Sequence, residues 1–374
     1  YSITDREGIY GAPVQPDFQR HTVRLNSSHV ILKNDRYDII KLGQNLNYGF
    51  TKKSGIGIGN IYSNDIHNLI VGNPLMPVYN ENGGYYDQPS KIADKWEFDG
   101  ATANPIAEMD YRRGQNLNKS HNLSANAYLE IQPMENLIFK SNFGYKMNTS
   151  SYRQYTPTYK LSNTVENAYD DISQNQQLGY NWVLENTLSY KLEPATDHQL
   201  DLVVGQSVEK WGIGENLSVT TSNSSFPNSW DKAWVGNGQG YENYMPTIGG
   251  THLPEGSIAS FFGRANYNYK ETYMASFTMR ADGSSNFAPK NRWGYFPSAS
   301  AGWVITNEQF MEDSQTWLDF LKFRVSWGQN GNSNIDNFQY LATIAIDNRN
   351  GYYFGNNSST LLRGAYPDIL ANEK

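Results

Sequence analysis

The stretch SHNLSANAYLEIQ, Ser120–Gln132, changes character at every residue. Leu123, Ala125, Ala127, Leu129 and Ile131 fall on one face, and Asn122, Ser124, Asn126, Tyr128, Glu130 and Gln132 on the other. Successive side chains of an extended chain point to opposite sides, so this is a strand with one apolar and one polar face. The pattern spreads outward. Leu137, Phe139, Phe143, Tyr145 and Met147 oppose Lys140 and Lys146; Tyr180, Trp182, Leu184, Leu188, Tyr190 and Leu192 oppose Glu185 and Lys191. Leu200, Leu202, Val204 and Val208 oppose Asp201 and Glu209, and Tyr273, Ala275, Phe277 and Met279 oppose Arg280 and Asp282. Similar runs occur at Ile40–Phe50, Phe261–Tyr269, Tyr295–Ile305, Leu321–Trp327 and Tyr340–Ile346. Counted as period-two runs, about eleven strands are expected, many of ten residues or more. Soluble strands average about five to six residues, whereas a tilted strand crossing a bilayer needs about nine to eleven.

The connections alternate in length. Tight turns are expected at Gln132–Glu135, Glu193–His198 and Lys270–Thr272, and long loops near 53–118, 153–176 and 211–257. Short turns at one end and long loops at the other are the habit of transmembrane barrels. Aromatics gather beside the tight turns, as in NYNYKETYM, where a bilayer interface favours an apolar body with a polar tip. The apolar faces of the central strands carry no Asp, Glu, Lys or Arg; Gln44, Asn186 and Gln206 are their polar exceptions. A buried core would impose the same exclusion, so a soluble two-sheet sandwich is the alternative architecture.

Bulk composition narrows the function classes. The 374 residues carry a formal charge of −7, without the basic footprint of a nucleic-acid binder. Aromatics make up 14% of the chain, too many for a disordered one. Cysteine is absent, which removes disulfides, thiolate metal sites and thiol nucleophiles. No apolar run reaches the roughly 18 residues of a membrane helix. GIGIGN, Gly55–Asn60, lacks the spacing and the strand–helix context of a phosphate loop. The six histidines have no His-Glu-x-x-His spacing, and no Gly-x-Ser-x-Gly elbow accompanies the serines. Asp170-Asp171 reads as solvated loop charge rather than a calcium site. No metal, cofactor or catalytic cluster is expected. The loop SSFPNSWDKAWVGNGQGYENYMP places Phe226, Trp230, Trp234, Tyr241 and Tyr244 among amides and carboxylates. Aromatic walls with a few polar groups suit a sugar, a peptide or a partner protein, and equally a loop packed on itself. Trp96 and Tyr111 stand in the same position in the earlier long loop.

The block RADGSSNFAPKNRWGYFPSASAGWVITNEQF, Arg280–Phe310, resembles the barrel motif of SusC/RagA-type TonB-linked outer-membrane transporters. The matching residues are Arg280, Asp282, Gly283, Ser284, Ser285, Phe287, Arg292, Trp293, Gly294, Phe296, Pro297, Ser298, Gly302, Trp303, Glu308 and Phe310. FRVSWGQNGNSNIDNFQY, NWVLENTLSY, HQLDLVVGQSVE and RHTVRLNSS resemble neighbouring strands of that family. The resemblance implies an all-β chain, residues 1–374, forming part of a transmembrane antiparallel barrel of roughly 22 strands. A plug and a TonB-binding segment are expected before residue 1 and further strands after Lys374. It implies a place in the outer membrane of a Gram-negative bacterium, against its lipid. It implies import of an oligosaccharide or oligopeptide without covalent chemistry, with a SusD-like surface lipoprotein as lid, TonB as energy source, and pairing of two transporter–lid units. Within the block the expected roles are architectural. Arg280 and Asp282 share an inward face, Gly283 opens a tight loop with φ > 0, and Pro297 takes an unpaired position. The alternative reading is a secreted, soluble all-β carbohydrate-binding adhesin or lectin; an outer-membrane protease or lipase would need a nucleophile and base that no spacing supplies.

Overall fold

The computed structural model describes residues 2–5, 17–55, 67, 70, 72, 75–86, 104–161, 165–240, 245–337, 339–352 and 362–371. Sixteen strands occur among them: β1 (Ser2–Asp5), β2 (Asp17–Lys33), β3 (Asp38–Ser54), β4 (Asn116–Met134), β5 (Leu137–Thr156), β6 (Tyr159–Lys160), β7 (Glu166–Asn167) and β8 (Asp171–Ala195). Then follow β9 (His198–Ser222), β10 (Thr247–His252), β11 (Gly256–Tyr269), β12 (Tyr273–Ser284), β13 (Trp293–Val304), β14 (Lys322–Gly328), β15 (Thr343–Tyr352) and β16 (Leu362–Ile369). One antiparallel sheet runs β1-β2-β3-β4-β5-β8-β9-β11-β12-β13-β14, with β10 paired to the far end of β9. Spatial order follows sequence order along this path, with the β6–β7 pair and β10 set outside it, so the wall is an up-and-down meander. The Tyr340–Ile346 run differs from expectation: its strand, β15, lies outside the main sheet and, among the described residues, pairs only with β16.

Register converts the alternation into two continuous surfaces. One row runs Leu46–Ala125–Tyr145–Trp182 across β3, β4, β5 and β8. Another runs Leu188–Val204–Gly263–Met279–Pro297 across β8 to β13. Pairs on the opposite surface include Glu130–Lys140, Asn142–Glu185, Lys191–Asp201 and Arg280–Phe262. No sheet covers the apolar surface among the described residues: Leu25, Val204, Phe277 and Trp327 are each more than half exposed. Among the described residues, the buried apolar clusters, Ala107 with Leu161 and Tyr155 with Ile172 and Ala233, sit at the long-connection end instead. The two-sheet sandwich with a dry interior is therefore not formed. An apolar face of this extent needs a covering that water cannot provide.

Aromatic residues border that face at both ends. Near the long connections His21 stacks on Phe50, Phe50 lies against His121, and Tyr48 Oη meets His121 Nδ1 at 2.7 Å. Near the short turns His198 Nδ1 meets Tyr267 Oη at 2.7 Å, and Tyr273 stacks on Trp303. On β13 the borders are Trp293 and Trp303. At roughly 3.3 Å per residue and a tilt of about 40°, their separation projects to about 25 Å, the height of a barrel's lipid band. At and beyond the upper border charges return to the outward register, at Lys52, Lys119, Arg153, Lys210 and Glu215, Lys210 lying opposite Trp182. β8 and β9, at 25 residues each, extend well past the band.

The turns explain the register. In the β2–β3 hairpin Asn34 Oδ1 accepts from the backbone N–H of Arg36 (2.9 Å) and Tyr37 (2.8 Å). Lys270 and Glu271 both take φ of 54°, the left-handed pair that matches strand twist in a β-hairpin. On the polar surface, bulky rings lie flat over cross-strand glycines. Tyr128 covers Gly43 and Phe262 covers Gly205, so closely that a Cβ on either glycine would sit 2.2 Å or 2.4 Å from a ring carbon.

Candidate functional site

The long connections gather above the band into two clusters. In the first, Arg153 at the end of β5 lies between two indoles, its guanidinium carbon 4.0 Å from the Trp230 ring centroid and 4.1 Å from that of Trp234. Its Nη1 donates to the Ala233 carbonyl at 3.4 Å. Burial pushes the Arg153 pKa down, with Asp231 acting against it. Beneath, Tyr155, Ile172 and Ala233 are fully buried, with Val235 against them. Tyr155 Oη donates to Asp170 Oδ2 (2.9 Å) and accepts from the Asn228 N–H (2.7 Å). Asp170 Oδ1 accepts the Ser224 N–H at 2.7 Å, and Ser222 Oγ donates to Asp171 Oδ1 at 2.6 Å. Burial pushes the Tyr155 hydroxyl up to about 12 and raises the Asp171 carboxyl, the Ser222 bond partly offsetting the latter. The Asp170-Asp171 pair thus pins loop to strand. Among the described residues no group of His, Asp and Glu is arranged to hold a metal.

This geometry engages the aromatic loop with itself. One face each of Trp230 and Trp234 is taken by Arg153, and Lys232 Nζ lies 4.4 Å from the Phe226 centroid. Phe226 and Trp234 remain partly open to solvent, at 41% and 49% exposure. Tyr241 and Tyr244 lie outside the described residues, as do Trp96 and most of GIGIGN. Arg153 and Tyr155 carry no weight in the motif reading. The available signal was phase: Arg153 continues the Leu137–Met147 face, so a cation stands in register with an otherwise uncharged stripe.

The second cluster holds Tyr111. Tyr111 stacks on Tyr159 (5.3 Å, 4°) and meets Tyr85 edge-on (5.4 Å, 86°). Both tyrosines pack on buried Ala107 and Leu161. A one-turn helix, Pro105–Glu108, is capped by Asn104, whose Oδ1 accepts from Ile106 and Ala107 and whose Nδ2 donates to the Val78 carbonyl at 2.7 Å. Tyr85 Oη donates to Asp110 Oδ2 at 3.2 Å, and burial first, then Asp110, pushes its pKa up.

The Arg280–Phe310 residues occupy β12, β13 and the connections that follow each of them. Arg280 Nε lies 2.8 Å from both Asp282 oxygens, and Nη2 donates to Ser260 Oγ at 3.0 Å. All three face the polar surface, with Phe296 and Gly294 opposite them on β13. Arg292 Nε donates to the Phe287 carbonyl at 3.3 Å. A cavity of about 670 Å³ opens here between Arg280, Arg292, Phe296, Phe287 and Asn330–Ser333. Trp293 and Trp303 are on the apolar surface, Trp293 stacked on Phe261. The Gly283 expectation is corrected. β12 runs on to Ser284, Gly283 is not among the positive-φ residues, and its constraint is space: a Cβ would meet the Trp293 ring at 2.8 Å. Pro297 accepts from Gln329 N–H at 3.0 Å on the β14 side, one residue past the last named pair, Ser298–Gly328. A strand residue's N–H and C=O point the same way, so its missing donor faces a place where the ladder has ended. Gly302 lies in register with Arg324 and Met274, its virtual Cβ 3.3 Å from Lys322 Cε.

No protein-family model matches the chain. It is 27% identical over 336 residues to the TonB-dependent receptor P26 of Formosa agariphila, covering 89% of this chain and 31% of that protein. It is 41% identical over 147 residues to the TonB-dependent receptor SusC of Bacteroides thetaiotaomicron, covering 37% of this chain and 15% of SusC. The chain spans about a third of the length of the P26 relative. In fold it is similar to the structure of the RagAB peptide transporter, with TM-score 0.73, 21% identity, and coverage of 96% of this chain and 37% of that one. The RagAB peptide importer in its closed-closed state gives TM-score 0.74 at 20% identity.

Proposed function

We propose, on the premise that this chain is the barrel portion of a SusC/RagA-type TonB-dependent transporter, that the protein imports an oligosaccharide or an oligopeptide across the outer membrane. The observation that carries the reading is the uncharged outward band, bordered by aromatics about 25 Å apart, over a sheet whose other face is charged. The charged face lines a water-filled or plugged lumen. The loop clusters at the long-connection end receive cargo and a SusD-like lipoprotein lid. Energy arrives through TonB acting on a plug. The wall does no covalent chemistry; its task is to hold a polar passage open in lipid. The printed names of its relatives are those of receptors and importers, which supports a transporter rather than an enzyme. RagAB's peptide cargo favours a peptide and SusC's likeness does not decide, so both cargo classes enter the test.

The test is uptake of labelled oligosaccharide and oligopeptide pools by cells carrying the full-length protein, with and without TonB and the lid. Uptake of one class that needs both partners is expected; uptake indifferent to TonB overturns the reading. The loop assignment has its own test. Ser225 N–H bonds the Asn237 carbonyl at 2.9 Å, so 226–236 can be replaced by a two-residue turn without moving the strand ends. Lid co-purification or uptake is expected to fall; if both are unchanged, the loop is scaffolding alone.

A further inference from the structure

Among the described residues, the main sheet has one connection at the short-turn end that is not short. Residues 305–321 join β13 to β14 through two 3-10 segments, Ile305–Asn307 and Gln309–Thr316. Its ends are pinned: Ile305 N–H bonds the Leu321 carbonyl (2.8 Å), Leu321 N–H bonds Thr306 Oγ1 (3.3 Å), and Asn307 Nδ2 bonds the Glu271 carbonyl (3.2 Å). Its course is fixed by Glu308, whose Oε1 accepts from Tyr273 Oη (2.6 Å) and Trp303 Nε1 (2.9 Å). Tyr273 and Trp303 are a register pair on the apolar surface of the wall, and Phe310 meets Trp303 at 6.5 Å and 61°. After β13 the chain therefore turns outward, away from the polar surface, and lies against the outside of the wall at its aromatic border.

What this segment presents is apolar. Phe310, Trp317 and Phe320 are 68%, 75% and 64% exposed, and Phe323 at the start of β14 continues the surface. Its charges are Glu308, Glu312, Asp313 and Asp319, with no Lys or Arg. We propose that residues 305–321 form a membrane-interface strap, whose aromatic side chains enter the headgroup–acyl boundary of the leaflet at the short-turn end. The occupant is phospholipid. The continuity of Phe310 with Trp303 and Tyr273, and of Phe323 with the outward band, argues for lipid over a protein partner. The acidic groups suit a zwitterionic surface whose headgroups carry ammonium, since an anionic surface would repel them. Glu308 serves as the clasp: its Oε1, with two lone pairs, accepts from the phenol and the indole at once.

The strap rests on the membrane reading above, and the experiment separates the two. This chain contains no cysteine, so single thiols can be introduced at Phe310→Cys, Trp317→Cys and Val204→Cys in the full-length protein, any thiol elsewhere being changed to serine. Each is nitroxide-labelled in vesicles of phosphatidylethanolamine and phosphatidylcholine, and its collision rates with oxygen and with a water-soluble nickel chelate are compared. Val204, in the middle of the band, reports the membrane reading. Oxygen-dominated collisions at all three positions, shallower at 310 and 317 than at 204, are expected. If 204 is oxygen-dominated while 310 and 317 collide mainly with nickel, the strap lies in water and the proposal is overturned, with the barrel intact. If 204 itself collides mainly with nickel, both readings fall. Glu308→Gln, which still accepts both bonds, should leave the 310 signal in place, whereas Glu308→Ala should move it toward the aqueous value; an unmoved signal overturns the clasp.

Discussion

Arg153 ties β5 to both indoles of the 223–240 loop and to its Ala233 carbonyl. A guanidinium held between two indoles gains about 1–2 kcal/mol per ring when partly desolvated. Arg153→Ala is therefore expected to loosen 223–240 by about 2 kcal/mol, read as faster hydrogen exchange and earlier proteolytic nicking there, with the strands below unaffected. Arg153→Lys should recover only part, because an ammonium cannot lie flat between both rings. Asp171 gives the loop a pH dependence. Its carboxyl is raised by burial, so the folded loop holds the proton more tightly than the unfolded chain. That contribution is present at low pH and is lost as pH rises through the raised value. Exchange in 223–240, corrected for intrinsic rate, should slow as pH falls from neutrality toward the carboxylate range. Asp171→Asn, which still accepts from Ser222, should flatten that dependence and protect the loop at neutral pH.

At the scale of the strand, one parity decides between tolerance and failure. Leu202→Lys on β9 puts an ammonium on the outward surface and should cost about 2–4 kcal/mol in lipid vesicles, measured by urea unfolding. Val203→Lys, one residue along, faces the polar surface and should cost far less. Equal costs would show that the apolar face is not in hydrocarbon. The same parity is what made the wall legible from sequence. Ser120–Gln132 states its two faces, and β4 repeats them residue for residue in its pairings with β3 and β5. The ends of strands were less legible, because above the band both faces of the wall meet water and alternation lapses. β9 runs to Ser222, and β10 pairs with it, through a stretch whose composition reads as loop. The aromatic loop was read as a candidate surface because sequence shows which rings are present and not which cation lies on them. Arg153 is distant from Trp230 and Trp234 in the chain, and only the return of β8 and β9 brings them together. Gly283 illustrates the same gap: its neighbour in the motif suggested a turn, whereas the constraint comes across the ladder from Trp293.

For the whole molecule, the two aromatic borders predict a sharp boundary in accessibility. Thiols placed along the outward register of β8 should react with a membrane-impermeant reagent at Gln176, resist it from Tyr180 to Leu192, and react again past Ala195. A gradual change instead of two steps would place the sheet at the surface of the bilayer rather than across it. The flat rings on the inner face bear on a different dimension. Because Tyr128 lies on Gly43 and Phe262 on Gly205, the wall is thin at those two points. A single methyl at either glycine leaves the ring no room to lie down, and it must swing toward the axis. Two positions with no side chain thus set how far those rings project from the sheet, and Gly43→Ala and Gly205→Ala are each expected to lift a ring off the polar surface while leaving the outward, apolar register untouched.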